Sequence, residues 1–130
     1  MKYKFLVIEE LGTFSKNDPD DSKSFYPELG ELLRKGRAAG IQVIFTCQTP
    51  YNDTFPGIIK NNVCVIIGMM CITGEASKAV CGDYDALTKL KGEGHSKIFK
   101  RTGVEEVQGL NIQKSTVKQI VNRKRKEKDS

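Results

Sequence analysis

The 130-residue chain has no tryptophan, one histidine and four prolines. Its apolar segments are short. The longest nearly unbroken run, residues 63–72, falls well below the roughly 20 apolar residues that a helix needs to cross a bilayer. Any membrane anchor is therefore expected outside this chain. The four cysteines (Cys47, Cys64, Cys71 and Cys81) contain no C-x-x-C pair, and only His95 could join them at a metal, so zinc is not expected. Three lie in apolar stretches, where a reduced cysteine acts as a small hydrophobe, which points to a reducing, cytoplasmic compartment. The N-terminus lacks a signal-peptide shape, because its charges alternate into a strand pattern. The most informative absence is the phosphate-cradling motif G-x-x-x-x-G-K-[ST]. Its nearest approach, Gly92-Glu93-Gly94-His95-Ser96-Lys97, has the wrong spacing and precedes a strand rather than opening a helix. Tight triphosphate binding by this chain alone is not expected.

What is present describes a globular chain. Hydrophobic residues make up 38% and charged residues 28%, enough for one core and too apolar for disorder. The formal charge of +5 gathers near the end, in Arg123-Lys124-Arg125-Lys126-Glu127-Lys128. Such a basic end can meet phosphates, and it can equally be a solvated helix tail.

Residues 3–8 form a near-continuous apolar run of strand formers, as in a strand covered on both faces. Residues 12–24 are polar and turn-forming (Asn17, Asp18, Pro19, Asp20, Asp21) and read as an exposed loop. Pro27 suits the first position of a helix, with Leu29, Leu32, Leu33 and Gly36 as its buried stripe and Gly40 as its left-handed stop. Residues 41–46 and 63–69 read as further strands, with a short helical turn at 57–61. Residues 73–80 favour a helix capped by Thr73 and stopped by Gly82. Residues 97–101 and 105–111 read as a hairpin turning at Thr102-Gly103. Ser115 is expected to cap a last helix whose Val117, Ile120 and Val121 pack down. Alternation of strand and helix through the first two thirds argues for a parallel sheet.

Three places carry candidate chemistry. Glu9 and Glu10 end the first strand, where open α/β folds put their ligands. Hydrolysis of a phosphoanhydride with Mg²⁺ uses one carboxylate on the metal's water shell and another on the attacking water. Adjacent residues at a strand tip can supply both, although two acids after an apolar run also simply end a strand. Gln48 follows the second strand and could contact a γ-phosphate or its attacking water, or merely bond to nearby backbone. Arg37 carries the guanidinium suited to phosphoryl charge, or serves a helix C-terminus.

In order along the chain, Arg37-Ala38-Ala39-Gly40-Ile41 running into Thr46-Cys47-Gln48-Thr49-Pro50 resembles the FtsK/SpoIIIE family of DNA-translocating motors. There a helix ending R-A-A-G-I leads to a strand closed by T-Q-R-P. Ile58-Ile59-Lys60-Asn61-Asn62 is similar to the family's L-I-K-A-N stretch, and Leu90-Lys91-Gly92-Glu93-Gly94 to its late L-x-G-x-G turn. The likeness runs from about residue 2 to about residue 121. It implies an α/β fold: a partial RecA-like P-loop NTPase core with a mostly parallel sheet flanked by helices and a short hairpin near the C-terminal end. Residues 1–122 would be the C-terminal half of the motor domain and 123–130 a basic tail.

The resemblance further implies a homo-hexameric ATPase that pumps double-stranded DNA, with ATP and Mg²⁺ as cofactors of the full-length parent. By position, Glu9 matches the Walker B residue that holds Mg²⁺ through water and Glu10 the catalytic glutamate. Gln48 matches the γ-phosphate sensor, and Arg37 the arginine reaching a neighbouring subunit's nucleotide. Position 9 is Glu where the family mostly has Asp, and Thr49 replaces the arginine of Q-R-P. The Walker A half is absent, so the expectation is a piece of a longer motor, inactive alone, whose parent is anchored at the cytoplasmic face of the membrane. The absence of a winged-helix module leans the reading toward a conjugative-element coupling protein. Alternatives are a nucleotide-independent nucleic-acid-binding module built on the basic C-terminal helix, and a protein-export ATPase of the same family.

Overall fold

A computed structural model describes residues 2–17, 19–48, 50, 51 and 54–130, with residues 15–17 and 19–23 described by backbone. Strand β1 (Lys4–Ile8) is followed by helices α1 (Gly12–Asn17) and α2 (Pro19–Lys35), a 3-10 turn at Gly36–Ala39, and strand β2 (Ile41–Phe45). Helix α3 (Gly57–Lys60) leads to β3 (Val65–Met69) and α4 (Gly74–Cys81). The hairpin β4 (His95–Lys100) and β5 (Gly103–Gln108) precedes the last helix, α5 (Lys114–Asp129).

β1 and β2 pair in parallel, with Lys4 opposite Ile41 and Ile8 opposite Phe45. This is the right order for a strand–helix–strand crossover, and it holds both strand ends level. The expected α/β class stands, but parallel pairing among the described residues is confined to this pair. β3 instead joins the hairpin in an antiparallel three-stranded sheet ordered β3-β4-β5.

The main core lies on one face of the parallel pair. Ile8, Leu11, Tyr26, Leu29, Phe55 and Ile59 are buried together, with Leu33, Val43, Phe45 and Ile66 packed against them. Leu29 and Leu33 thus deliver the helix stripe read from the sequence. The opposite face is bare: Phe5, Val7 and Ile44 are 67%, 65% and 53% exposed. Parallel strands are ordinarily covered on both faces, as the apolar run of β1 led one to expect.

Several local expectations hold. Gly40 and Gly82 terminate their helical segments at φ 74° and 84°, and the Thr73 side chain accepts the Ala76 N–H. Others are corrected. Residues 12–24 are not a loop: apart from Asp18, which lies outside the described residues, they form α1 and the start of α2. Pro19, not Pro27, takes the first helical position, and Pro27 sits inside α2 at the cost of one intrahelical hydrogen bond. Gln113, not Ser115, precedes α5, and its side chain makes no capping bond. Val117, Ile120 and Val121 do not pack down: they are 48%, 46% and 43% exposed, and α5 is exposed along its whole length. Residues 123–129 lie in α5. No helix of the described residues is long and apolar enough to cross a membrane.

Candidate functional site at the strand tips

Parallel register sets the residues after β1 beside those after β2. The Thr46 N–H donates to the Ile8 carbonyl at 3.0 Å, extending the ladder one step. Glu10 then turns out of the strand in the left-handed conformation, φ 56°, uncommon for a residue with a Cβ. Thr46 meets this turn with two acceptors. Its Oγ1 takes the Glu10 N–H at 3.0 Å, and its carbonyl takes the Leu11 N–H at 2.8 Å.

The Glu10 carboxylate is held at both oxygens by backbone. Oε2 accepts the Gln48 N–H at 3.2 Å, and Oε1 accepts the Gly12 N–H at 3.3 Å. Glu10 and Gln48 are therefore brought together, 38 residues apart in the chain. Glu9 points elsewhere: it is exposed, and no hydrogen bond or ion pair of its carboxylate is found among the described residues. The structure thus separates the two acids into one carboxylate held by backbone and one left open to solvent. Thr49 lies outside the described residues.

Arg37 is not at this end. It sits in the 3-10 turn before β2, where its carbonyl accepts the Gly40 N–H at 3.1 Å. The Lys4 N–H bonds the Gly40 carbonyl at 2.9 Å, which fixes that turn at the opposite pole of the strand pair. Five residues of strand at about 3.3 Å each put roughly 16 Å between the two poles. Arg37 is exposed and lies beyond hydrogen-bond reach of its own chain's Glu10.

A metal's needs can be set against these residues. Among the described residues, no group of three or more His, Cys, Asp or Glu side chains could hold an ion. Glu9 suits the lighter task of hydrogen-bonding the water shell of Mg²⁺, an ion that keeps most of its waters.

Polar groups elsewhere are engaged in structure. His95 Nδ1 accepts the Lys91 N–H at 2.9 Å, which leaves Nε2 to donate to Glu106 Oε1 at 2.6 Å. His95 is thus a pin between the Gly92–Gly94 turn and β5. Fully buried Ser77 donates to the Asp83 carbonyl at 2.6 Å and accepts the Leu87 N–H at 3.1 Å. Burial pushes the Cys71 thiol up from its ordinary value, with Cys81 adding to the shift, so it is a poor nucleophile at neutral pH. All four cysteines are free thiols. Sequence reasoning missed Thr46; its only signal was a hydroxyl directly after the apolar run of β2.

No family model matches the chain. Over 119 residues, 89% of its length, it is 28% identical to the DNA translocase FtsK of Clostridium tetani. It is 26% identical to that of Clostridium acetobutylicum over the same share. Against FtsK of Streptococcus pneumoniae the identity is 33% over 104 residues, 78% of the chain. The chain spans only about 15% of the length of the two clostridial relatives. Among solved structures, the pCW3 conjugation coupling protein TcpA, in its monomer form with ATPγS, superposes with a TM-score of 0.73. That match has 24% identity and covers 83% of this chain and 32% of TcpA. The cytoplasmic domain of the Thermomonospora curvata type VII secretion ATPase EccC gives 0.68 at 19% identity, covering 84% of this chain and 12% of EccC. These neighbours define the fold class: this chain is a partial α/β core of the kind found in both proteins. Within that class, the resemblance to FtsK/SpoIIIE-type DNA translocases is shown over most of the chain's own length.

Proposed function

We propose that residues 1–122 form the C-terminal half of a RecA-like motor domain in an ATP-driven double-stranded DNA translocase. The observation that carries this reading is the strand-tip arrangement. Glu10 meets Gln48 across the parallel pair, Glu9 is left open, and Arg37 stands at the far pole. In the assembled motor, Glu10 takes the proton of the attacking water, and Gln48 reports on the γ-phosphate. Glu9 would hold the water shell of Mg²⁺, whose positive charge would offset the negative charge of the phosphates. Arg37 cannot serve its own chain's site, which suits a group that acts on a neighbouring subunit of a homo-hexamer. Resemblance to a conjugation coupling protein supports conjugative transfer as the setting. On this reading the parent works at the cytoplasmic face of a membrane, anchored by sequence outside this chain.

The bare apolar face of β1–β2 supports the same reading, because the phosphate-cradling half of the core would cover it. On this account the 130 residues hydrolyse no ATP alone. Steady-state phosphate release by the purified chain tests it, and robust turnover overturns it.

One observation favours a second reading. α5 carries Lys114, Lys118, Arg123, Lys124, Arg125, Lys126 and Lys128 on a helix exposed throughout. A nucleotide-independent nucleic-acid contact through this helix would weaken steeply with salt and vanish when Arg123 to Lys126 are neutralised. The fold shared with a type VII secretion ATPase keeps a polypeptide cargo as the alternative to DNA.

A further inference from the structure

We infer that Thr46 and Gly12 are positioning residues for the Glu10 carboxylate, one by fixing the backbone turn and the other by leaving room for the side chain. This rests on Glu10 being the water-activating group, but the geometry stands without it. Glu10 leaves β1 at φ 56°, a left-handed conformation that is unfavourable for a residue with a Cβ. Something must hold it there. Thr46 does so from the neighbouring strand, since Oγ1 takes the Glu10 N–H and the carbonyl takes the next N–H, Leu11. With the backbone turned in this way, the side chain reaches across to the Gln48 N–H and folds back to the Gly12 N–H.

Gly12 closes the other side. A Cβ there would stand 2.9 Å from Glu10 Oε1 and 3.1 Å from Thr54 Cγ2. Thr54 is buried and its hydroxyl donates to the Tyr51 carbonyl, so the flexible end of Glu10 is the group that moves. Any residue larger than glycine therefore pushes Glu10 off the Gln48 N–H. One hydroxyl and one missing methyl group thus select a single placement for the carboxylate next to the tip of β2.

Amide hydrogen exchange, resolved by NMR on the 130-residue chain, tests this directly. Thr46→Val keeps the shape and removes the acceptor. It should speed exchange of the Glu10 and Gln48 amides by about three- to tenfold, the scale of one net hydrogen bond. The core amide of Ile59 should be unmoved. Thr46→Ser restores the hydroxyl and should restore the slow rates. Gly12→Ala should speed Gln48 while leaving the Glu10 N–H, which bonds Thr46, protected. Unchanged Gln48 exchange in both Thr46→Val and Gly12→Ala overturns the inference. So does a uniform acceleration that includes Ile59, or failure of Thr46→Ser to rescue. If Thr46→Val does not fold, Gly12→Ala and Thr46→Ser decide the matter between them. Failure of the catalytic reading shows elsewhere, as hydrolysis that survives loss of the Glu10 carboxylate, and leaves these exchange rates untouched.

Discussion

The β1–β2 unit and the β3–β4–β5 unit use polar residues in opposite ways. In the antiparallel unit, Ser77 and Asp83 spend their hydrogen bonds on loop backbone, and His95 joins the Lys91 N–H to Glu106 on β5. In the parallel unit, the crossover through α1 and α2 brings two strand ends level. There Glu10 is fixed by backbone donors while Glu9 stays free. Parallel pairing thus creates a ledge where side chains from distant parts of the chain converge, whereas a hairpin mostly satisfies itself locally.

The sharpest way to break the comparison is through the cores. Leu11 is fully buried and directly follows the Glu10 turn. Leu11→Ala should lower unfolding free energy by about 2–5 kcal/mol in a denaturant titration and disturb the strand tips with it. Gly68 probes the other unit. A Cβ there would lie 2.8 Å from both terminal carbons of fully buried Leu87. Gly68→Ala should cost about 1–3 kcal/mol and leave exchange at Gln48 unchanged, since the overpacking is confined to the β3 side. The smallest effect belongs to α5. Deleting residues 114–130 removes a helix with no buried residue, so the melt of the remainder should shift by no more than about 0.5 kcal/mol. A larger loss would mean that Val117, Ile120 and Val121 are packed after all.

The same contrast explains what the sequence could and could not reveal. The strands, the Gly40 and Gly82 stops and the Thr73 cap were legible because each depends on local rules of period and backbone conformation. Residues 12–24 misled because Asn17, Pro19, Asp20 and Asp21 favour turns and helix starts alike, and both Pro19 and Pro27 suit a first helical position. The stripe on α5 misled because amphipathicity says which face could be buried, not whether anything covers it. The antiparallel placement of β3 was invisible, since strand direction is decided by partners remote in sequence. At the site, Glu9, Glu10 and Gln48 could be named from their places after apolar runs. The way the Glu10 carboxylate is held could not, because it follows from the left-handed turn at Glu10 and from the hydroxyl of Thr46.

The central claim is that Glu10 activates water in a site completed by the rest of a motor. Its most direct test is Glu10→Gln in the full-length parent, with ATP hydrolysis and nucleotide binding measured side by side. Hydrolysis should fall by at least about 100-fold while binding persists, because the amide keeps the shape but cannot take a proton. Hydrolysis that continues near the unsubstituted rate would contradict it.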